Sequence, residues 1–314
     1  MGALGLKQAA IQLLKRNVKL KKGEKVVVVS DRKSCSFFNA ICSAVKMMGG
    51  NLLKVKITRK RYQNSPLPHL KETFCQSDVI IAVTDKSISH SPETRIARKK
   101  YGARVVSMVE VDEGLFLKSV KASQKKIKIL GKKIARKLRR CKKVKIFTPL
   151  GTNLSVNVIK NTIGVEYGDC SKKGSLNNLP YGKVGMAPIN IADGILAIDF
   201  SRIGIYSKDR VKLILEKGKI VGWNNEKAKR FVEFLKRAGG EKALRIVELG
   251  FGTNPEHKSP IGKIIHDEKI LGSVHIAFGG FGSKRKCKIH EDVILLKPTV
   301  YFDKKLVIKK GKIL

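Results

Sequence analysis

The last quarter of the chain concentrates the residue types that bind metal ions. Four of the six histidines follow residue 250, among glycine turns and carboxylates. In the segment KIHEDVILL, His290 and Asp292 stand two residues apart, so a strand would point both side chains to the same face. Imidazole nitrogens and carboxylate oxygens are common ligands of divalent metal ions. The spacing therefore predicts that His290 and Asp292 can bind one ion together.

Two further segments add candidate ligands. In DEKILGSVHIAFGGFGS, Glu268 precedes a predicted strand that carries His275. In RIVELGFGTNP, a predicted strand ends at Glu248 and the chain then turns at glycines. From spacing alone, a metal site and a set of core residues both remain open, because a single strand histidine is more often a structural group than a ligand. The GGFGSK run matches no phosphate-binding motif and favours a hairpin turn.

Basic residues dominate the charge of the chain. Lys and Arg number 66 against 25 Asp and Glu, which gives a formal net charge of +41. Such a charge attracts RNA and other polyanions through counterion release and long-range steering. The basic residues are spread along the sequence, with one concentration at 121–145, and aromatic residues make up only 6%. Because stacking on single-stranded bases needs aromatic side chains, the composition favours non-specific polyanion contact over specific nucleic-acid recognition.

Hydropathy and cysteine spacing predict a cytoplasmic protein that does not enter the membrane. No run approaches the roughly 18 consecutive apolar residues that indicate a membrane span. The N-terminal segment carries Lys7 and Lys15 within its apolar stretch, which is typical of an amphipathic helix and not of a signal peptide. The six cysteines form no CxxC pair, so neither a zinc ribbon nor a disulfide framework is indicated.

The pattern of secondary structure changes in the middle of the chain. In the first third, predicted strands alternate with helices, which indicates an open parallel sheet. A basic helix follows at 121–143, and its apolar stripe is expected to pack on the body of the protein. Shorter alternating strands joined by glycine turns come next and favour antiparallel pairing. We therefore predict an α/β fold of two domains, an N-terminal open parallel-sheet α/β domain at 1–143 and a mainly antiparallel α+β metal-binding domain at 144–314.

Seven motifs follow one another from about residue 20 to the end of the chain. They are KKGEKVVVVSD, SISHSPETRIARKKYGARVVSM, TPLGTNL, NNLPYGKVGMAP, ELGFGTNP, DEKILGSVHIAFG and IHED. In this order the motifs resemble those of the thermophilic metalloaminopeptidases, the family of aminopeptidase T, aminopeptidase S and leucyl aminopeptidase. The resemblance implies a second domain with a pair of divalent ions, a homodimer, and a peptide substrate that loses its N-terminal residue. It implies zinc or cobalt as the ions, with iron or manganese as further options.

The resemblance also implies roles for individual residues. Glu248 of ELGFGTNP resembles the carboxylate that bridges the two ions of the family site. The residues that resemble the remaining ligands are Glu268, His275, His290 and Asp292. These five side chains are the predicted metal ligands.

Two positions depart from the family pattern. Lys183 in NLPYGKVGMAP stands where the family has a further ligand glutamate, and no tyrosine lies between His275 and His290, where the peptidases carry a catalytic tyrosine. With three ligand carboxylates and Lys183, one divalent ion gives a neutral site, whereas two ions leave a net charge of +2. Because unneutralised charge in a low-dielectric site is unfavourable, we expect Lys183 to replace one ion. In the alternative, Lys183 points into solvent.

Three functional classes fit these residues. The main expectation is a metal-dependent aminopeptidase-like hydrolase whose site Lys183 has altered. More distantly, the chain resembles the ring-cleaving dihydroxypyridine dioxygenases, whose single iron is held by two histidines and one aspartate. In that alternative, His275, His290 and Asp292 would form the ligand triad. The third class is a non-catalytic relative that binds polyanions.

Overall fold

The chain divides into two compact units, and each is described by itself. The computed structural model describes residues 3–32, 35–58, 63–159, 162–187, 189, 191–280, 287 and 289–314. The first unit comprises Met1–Gln124 and Tyr167–Tyr181, and the second comprises Lys125–Glu166 and Gly182–Leu314. In the part of the chain that the structure describes, no helix combines the length and the apolar character needed to cross a membrane.

The first unit is built on a parallel sheet. Its strands are β1 (Lys25–Ser30), β2 (Asn51–Lys56), β3 (Val79–Thr84), β4 (Arg104–Val109) and β8 (Leu176–Asn178). Their order is β2-β1-β3-β4-β8, and every pair is parallel. The sequence VIIAVT of β3 is buried along its whole length, as expected for an inner strand of a parallel sheet. The helices of this unit are α1 (Ala3–Gln12, continued by a π-helical turn at Leu13–Val18), α2 (Ser36–Met47), α3 (Lys71–Cys75), α4 (Pro92–Tyr101) and α5 (Glu113–Lys121).

Helix α4 shows why the sequence signals of this unit are easy to recognise. The hydroxyl of Ser91 accepts a hydrogen bond from the backbone N–H of Thr94, and Pro92 occupies the first helical position. The helix ends at Gly102, whose φ of +82° is the left-handed conformation that favours glycine. Local sequence signals therefore mark both ends of α4.

The second unit contains two antiparallel sheets. Their strands are β5 (Lys143–Phe147), β6 (Asn153–Asn157), β7 (Ile163–Glu166), β9 (Lys183–Met186), β10 (Ala192–Ala197), β11 (Phe200–Ser201), β12 (Ile205–Tyr206), β13 (Lys212–Glu216), β14 (Lys219–Trp223), β15 (Ile246–Gly252), β16 (Val274–Gly279), β17 (His290–Leu295), β18 (Thr299–Phe302), β19 (Lys305–Lys309) and β20 (Lys312–Ile313). One sheet has eight strands in the order β14-β13-β10-β6-β5-β18-β19-β20, and the other has seven in the order β12-β11-β17-β16-β15-β9-β7. The helices are α6 (Gln124–Arg139), α7 (Glu226–Gly239) and α8 (Ile264–Asp267). The predicted α/β fold, with a parallel first part and an antiparallel second part, is confirmed.

The basic helix α6 belongs almost entirely to the second unit. Its apolar stripe, including Ile134 and Leu138, is buried in the same core as Phe251 of β15 and Phe278 of β16. The opposite face carries lysines and arginines that are mostly exposed. Because this apolar stripe binds the helix to the antiparallel core, the predicted boundary between residues 143 and 144 lies inside the second unit.

One segment returns from the second half of the chain to the first unit. Strand β8 pairs in parallel with β4, so that Leu176 lies opposite Val105. The side-chain amide of Asn17 donates to the carbonyl of Gly168, and the backbone N–H of Cys170 donates to the carbonyl of Asn17. The pairing with β4 attaches 167–181 to the parallel sheet, and the hydrogen bonds to Asn17 attach it to the π-helical turn that continues α1, whereas the sequence pattern predicted a mainly antiparallel domain from residue 144 onward.

Candidate metal centre

Four adjacent strands carry five of the six predicted site residues. Strand β9 begins at Lys183, β15 carries Glu248, β16 carries His275, and β17 carries His290 and Asp292. In the seven-stranded sheet these strands are neighbours in the order β17-β16-β15-β9. Antiparallel pairing therefore brings together side chains that lie far apart in the sequence.

The sixth residue, Glu268, reaches the same place from a loop. It directly follows the short helix α8, and its backbone N–H donates to the carbonyl of Ile264. Its carboxylate is buried and lies 2.9 Å from the Nζ of Lys183 and 3.5 Å from the Nε2 of His275. All six predicted site residues thus meet in one largely buried cluster.

Facing glycines make room for this cluster. Gly250 of β15 lies opposite His275 of β16, and a side chain at position 250 would overlap the imidazole ring. Gly185 of β9 lies opposite Gly250, and a Cβ atom there would come within 3.0 Å of the Oε1 of Glu248. A glycine inside a strand often marks a place where another group approaches the backbone closely. Here the approaching groups are two predicted metal ligands, the imidazole of His275 at Gly250 and the carboxylate of Glu248 at Gly185.

One part of the site, which we call the lysine cluster, is a network of ion pairs. It consists of Lys183, Lys269, Glu166, Glu248 and Glu268. The Nζ of Lys183 lies 3.0 Å from the Oε1 of Glu248 and 2.9 Å from the Oε2 of Glu268. The fully buried Lys269 forms an ion pair with the Oε1 of Glu268 and lies 3.6 Å from the Oε1 of Glu166. Lys183 therefore points into the site and not into solvent.

Mutual attraction keeps Lys183, Glu248 and Glu268 ionised. Burial by itself lowers the pKa of Lys183, but the carboxylates of Glu248 and Glu268 outweigh burial and hold it well above its ordinary value. For the carboxyl group of Glu268, burial acts in the opposite direction and raises the pKa. The charges of Lys183 and Lys269 exceed this effect and lower the pKa to about 2. For Glu248, the attraction of Lys183 again exceeds the effect of burial, and the pKa lies well below its usual range.

The other part of the site, which we call the histidine cluster, consists of His275, His290 and Asp292. The Nε2 of His275 lies 3.4 Å from the Oε1 of Glu248, and the Nε2 of His290 lies 3.5 Å from the Oδ2 of Asp292 and 3.7 Å from the Oε2 of Glu248. These separations exceed the usual 2.7–3.2 Å of an N–H···O hydrogen bond. They are close to the roughly 3.4 Å between two ligands bound tetrahedrally at about 2.1 Å from one ion.

The histidine cluster fits a divalent metal ion. The Oδ1 of Asp292 is buried and has no hydrogen-bond partner among the described residues, so a cation would satisfy it. Ligand atoms of Glu268, His275 and Asp292 all lie within 4.8 Å of one another. In the absence of an ion, burial lowers the pKa of His290, but the charges of Asp292 and Glu248 exceed this effect and raise it to about 9. The His290 imidazole therefore takes up a proton where a metal ion would otherwise provide positive charge.

The charge of the whole site favours one such ion. Two lysines stand against four carboxylates, namely Glu166, Glu248, Glu268 and Asp292. With neutral imidazoles the net charge is therefore −2, which one divalent cation neutralises. The sequence pattern missed Glu166 and Lys269. Lys269 directly follows Glu268 in the DEK motif, and Glu166 is recognisable only from the strand pairing that places it opposite Lys183.

Two other histidines of this region contact each other. The rings of His257 and His266 stack at a centroid distance of 3.9 Å, and the Nδ1 of His266 lies 2.8 Å from the Oδ1 of Asp267. Both histidines are buried. The hairpin predicted for GGFGSK falls largely on residues 281–284, which lie outside the described residues, and it stays a prediction.

Comparison with known proteins decides between the peptidase and dioxygenase alternatives. The profile of a family described as NicX, 2,5-dihydroxypyridine 5,6-dioxygenase, matches residues 7–314, almost the whole chain. The chain belongs to the NicX family. As a NicX family member the protein is an enzyme with a site suited to a divalent metal ion.

Solved structures agree with this assignment at the level of the fold. A 2,5-dihydroxypyridine dioxygenase from Pseudomonas putida KT2440 matches with a TM-score of 0.83 and 19% identity over 100% of this chain and 98% of that chain. Wild-type AmpT from Thermus thermophilus matches with a TM-score of 0.70 and 15% identity over 99% of both chains. At these identities the likeness shows a shared fold. No curated protein sequence matches the chain.

The expectation of a metalloaminopeptidase is therefore wrong. The NicX match over 7–314 overturns the hydrolase and protease assignments, and the likeness to AmpT is one of fold. The last four of the seven motifs supply residues of β9, β15, β16 and β17, the strands that build the site. Zinc and cobalt were implied by the peptidase resemblance alone, so the NicX assignment leaves them without support. The two departures noted in the sequence, Lys183 and the missing tyrosine, were the residues that argued against a peptidase.

Proposed function

We propose that this NicX family member is a ring-cleaving dioxygenase with a single ferrous ion held by His275, His290 and Asp292. The observation that carries the proposal is the separation of the site into two clusters. Both oxygens of Glu268 already contact lysines, and Oε1 of Glu248 is bound to Lys183. Two imidazoles and one aspartate therefore remain as the donor set, although Glu268 lies close enough to join it.

This donor set suits oxygen chemistry on an aromatic ring. An iron(II) ion held by two histidines and one carboxylate keeps open positions at which a substrate and O₂ can meet. A dihydroxypyridine or a similar dihydroxylated ring is the substrate class that the family description supports.

The residues of the chain have defined tasks in this proposal. His290 must lose its proton before it can bind an ion, and the nearest carboxylate oxygens are the Oδ2 of Asp292 and the Oε2 of Glu248. Glu248 also lies beside His275 and limits the positions that its ring can take. Gly250 supports the same ring by leaving the space that it fills.

The proposal is tested by oxygen consumption. Purified protein is loaded with ferrous iron without air, mixed with 2,5-dihydroxypyridine in aerated buffer, and followed by an oxygen electrode and by the loss of ring absorbance. We expect one O₂ consumed for each ring opened, because a dioxygenase transfers both oxygen atoms to its product. Dihydroxypyridines with other hydroxyl positions and catechol, tested in the same way, define the ring that is preferred.

Matched variants make the result specific. Asp292→Ala is expected to abolish both iron retention and oxygen uptake, whereas Lys145→Ala, at an exposed position of β5, should leave both unchanged. Iron-loaded wild-type protein that consumes no oxygen with any of these rings would contradict the proposal.

A further inference from the structure

We propose that the ammonium group of Lys183 occupies the position of a second divalent cation and so limits the site to one ion. This inference deepens the proposed function and rests on it only for the location of the one ion. It concerns the lysine cluster, for which the family description names no role.

The carboxylate of Glu248 lies between Lys183 and His290. Its Oε1 lies 3.0 Å from the Nζ of Lys183, and its Oε2 lies 3.7 Å from the Nε2 of His290. One carboxylate thus faces the ammonium with one oxygen and the histidine cluster with the other. A carboxylate that bridges two metal ions has the same arrangement, with a cation at each oxygen. Here one of the two cations belongs to the chain.

The ammonium group of Lys183 also lies between two buried carboxylates that come from different elements. The Nζ of Lys183 lies 3.0 Å from Glu248 on β15 and 2.9 Å from Glu268 after α8. A divalent ion between these two oxygens would use them as ligands. An ion and the ammonium group cannot occupy this space together, since each needs the same oxygen atoms.

The net charge of the site also favours a single ion. Lys183 and Lys269 leave a net charge of −2 among the four carboxylates of the site, and one divalent ion completes the balance. A second ion would leave the site with a charge of +2. Excess charge is strongly unfavourable in a buried site, because little water is present to screen it.

The ammonium also affects which substrates fit. A lysine has three N–H donors, and the carboxylates of Glu248 and Glu268 account for two of them. The side chain keeps 16% of its surface exposed, so the remaining donor can face a bound molecule. A fixed positive charge attracts a deprotonated hydroxyl oxygen and repels the ammonium group of a peptide N-terminus. The same residue therefore excludes a second ion and favours an anionic ring.

The test counts ions with Mn²⁺ alone as the probe. Wild type, Lys183→Glu and Lys145→Glu are dialysed against Mn²⁺, the bound metal is measured, and electron paramagnetic resonance reports whether two ions are coupled. Lys145→Glu makes the same change in charge at an exposed position. We expect one ion per chain in wild type and in Lys145→Glu, and two coupled ions in Lys183→Glu. Two ions in wild type, or one ion in a folded Lys183→Glu, would overturn the proposal.

A neutral variant keeps the proposal testable if Lys183→Glu does not fold. Lys183→Gln removes the positive charge and keeps a hydrogen-bonding group, so we expect the affinity for the first Mn²⁺ ion to rise at least about tenfold. An unchanged affinity in a folded Lys183→Gln would show that the ammonium does not act as a neighbouring cation. The two proposals can be told apart when they fail. A one-ion protein without oxygen uptake contradicts ring cleavage alone, whereas a two-ion protein with oxygen uptake contradicts the role of Lys183 and the single ion but leaves ring cleavage supported.

Discussion

The lysine cluster and the histidine cluster meet at Glu248 but differ in the source of their positive charge. In the lysine cluster, the carboxylates are neutralised by Lys183 and the fully buried Lys269. In the histidine cluster, Asp292 faces the imidazole of His290, and the charges of Asp292 and Glu248 outweigh burial and raise the pKa of that imidazole. A cation that is part of the chain cannot exchange with solvent, whereas a proton and a metal ion can replace each other. We therefore expect the lysine cluster to stabilise the fold and the histidine cluster to bind the ion.

The largest effect is expected from breaking the lysine cluster. Lys269→Met should lower the free energy of unfolding by about 3–5 kcal/mol, because it leaves Glu268 buried with one fewer partner. Urea denaturation of the metal-free protein measures this loss. Lys145→Met, at an exposed position, should change the value by less than about 0.5 kcal/mol. A loss below about 1 kcal/mol for Lys269→Met would mean that the ion pairs of this cluster do not stabilise the fold.

The histidine cluster should respond in the opposite way. Asp292→Asn keeps the shape of the side chain and removes its charge, so we expect the affinity for Fe²⁺ or Mn²⁺ to fall at least about 100-fold. Above about pH 9, where His290 is neutral, the free energy of unfolding without metal should change by less than about 1 kcal/mol. Metal titration followed by urea denaturation of the same samples separates the two quantities. Equal losses of affinity and stability would remove the distinction between the clusters.

The smallest predicted effect is the dependence of metal binding on pH. The pKa of His290 is raised from 6.5 to about 9, so a proton occupies the imidazole below that pH and competes with the ion. We expect the affinity for Mn²⁺ to rise about tenfold per pH unit from about pH 7 and to level off above about pH 9. In metal-free protein the sign is reversed, because the stabilisation by protonated His290 is complete below pH 6.5 and disappears as the pH rises through about 9.

His290→Ala is the control for this dependence. It should weaken binding and make the affinity much less sensitive to pH over the same range. A steep pH dependence that persists in His290→Ala would assign the competing proton to another group.

The sequence predicted those parts of the fold whose signals are local. Helix α4 has its Ser91 cap, its proline and its terminal Gly102 within a dozen residues, and its limits follow directly. The segment 167–181 carries no comparable signal, because β8 is three residues long and reads LNN. Its attachment to the first unit depends on pairing with β4 and on hydrogen bonds to Asn17, both of which lie far away in the sequence.

The candidate site shows the same division. His290 and Asp292 could be paired from their spacing, because both lie on one strand. The roles of Glu166 and Lys269 could not, since they depend on β7 lying beside β9 and on the loop that carries Glu268. The peptidase expectation failed because its motifs describe a scaffold that the NicX family also uses. The position that differed, Lys183, was visible in the sequence, but its two partners became apparent only in the structure.

The pair of facing glycines on β9 and β15 has a consequence for how this enzyme can vary. Gly250 is covered by the ring of His275, and Gly185 is covered by the carboxylate of Glu248. Among the amino acids, only glycine leaves these positions without a Cβ atom. A mutation in the codon of Gly250 would therefore displace the ring of His275 and impair the site, although the histidine codon is unchanged. Mutations at these two glycines can therefore inactivate the site, as mutations of its metal ligands can.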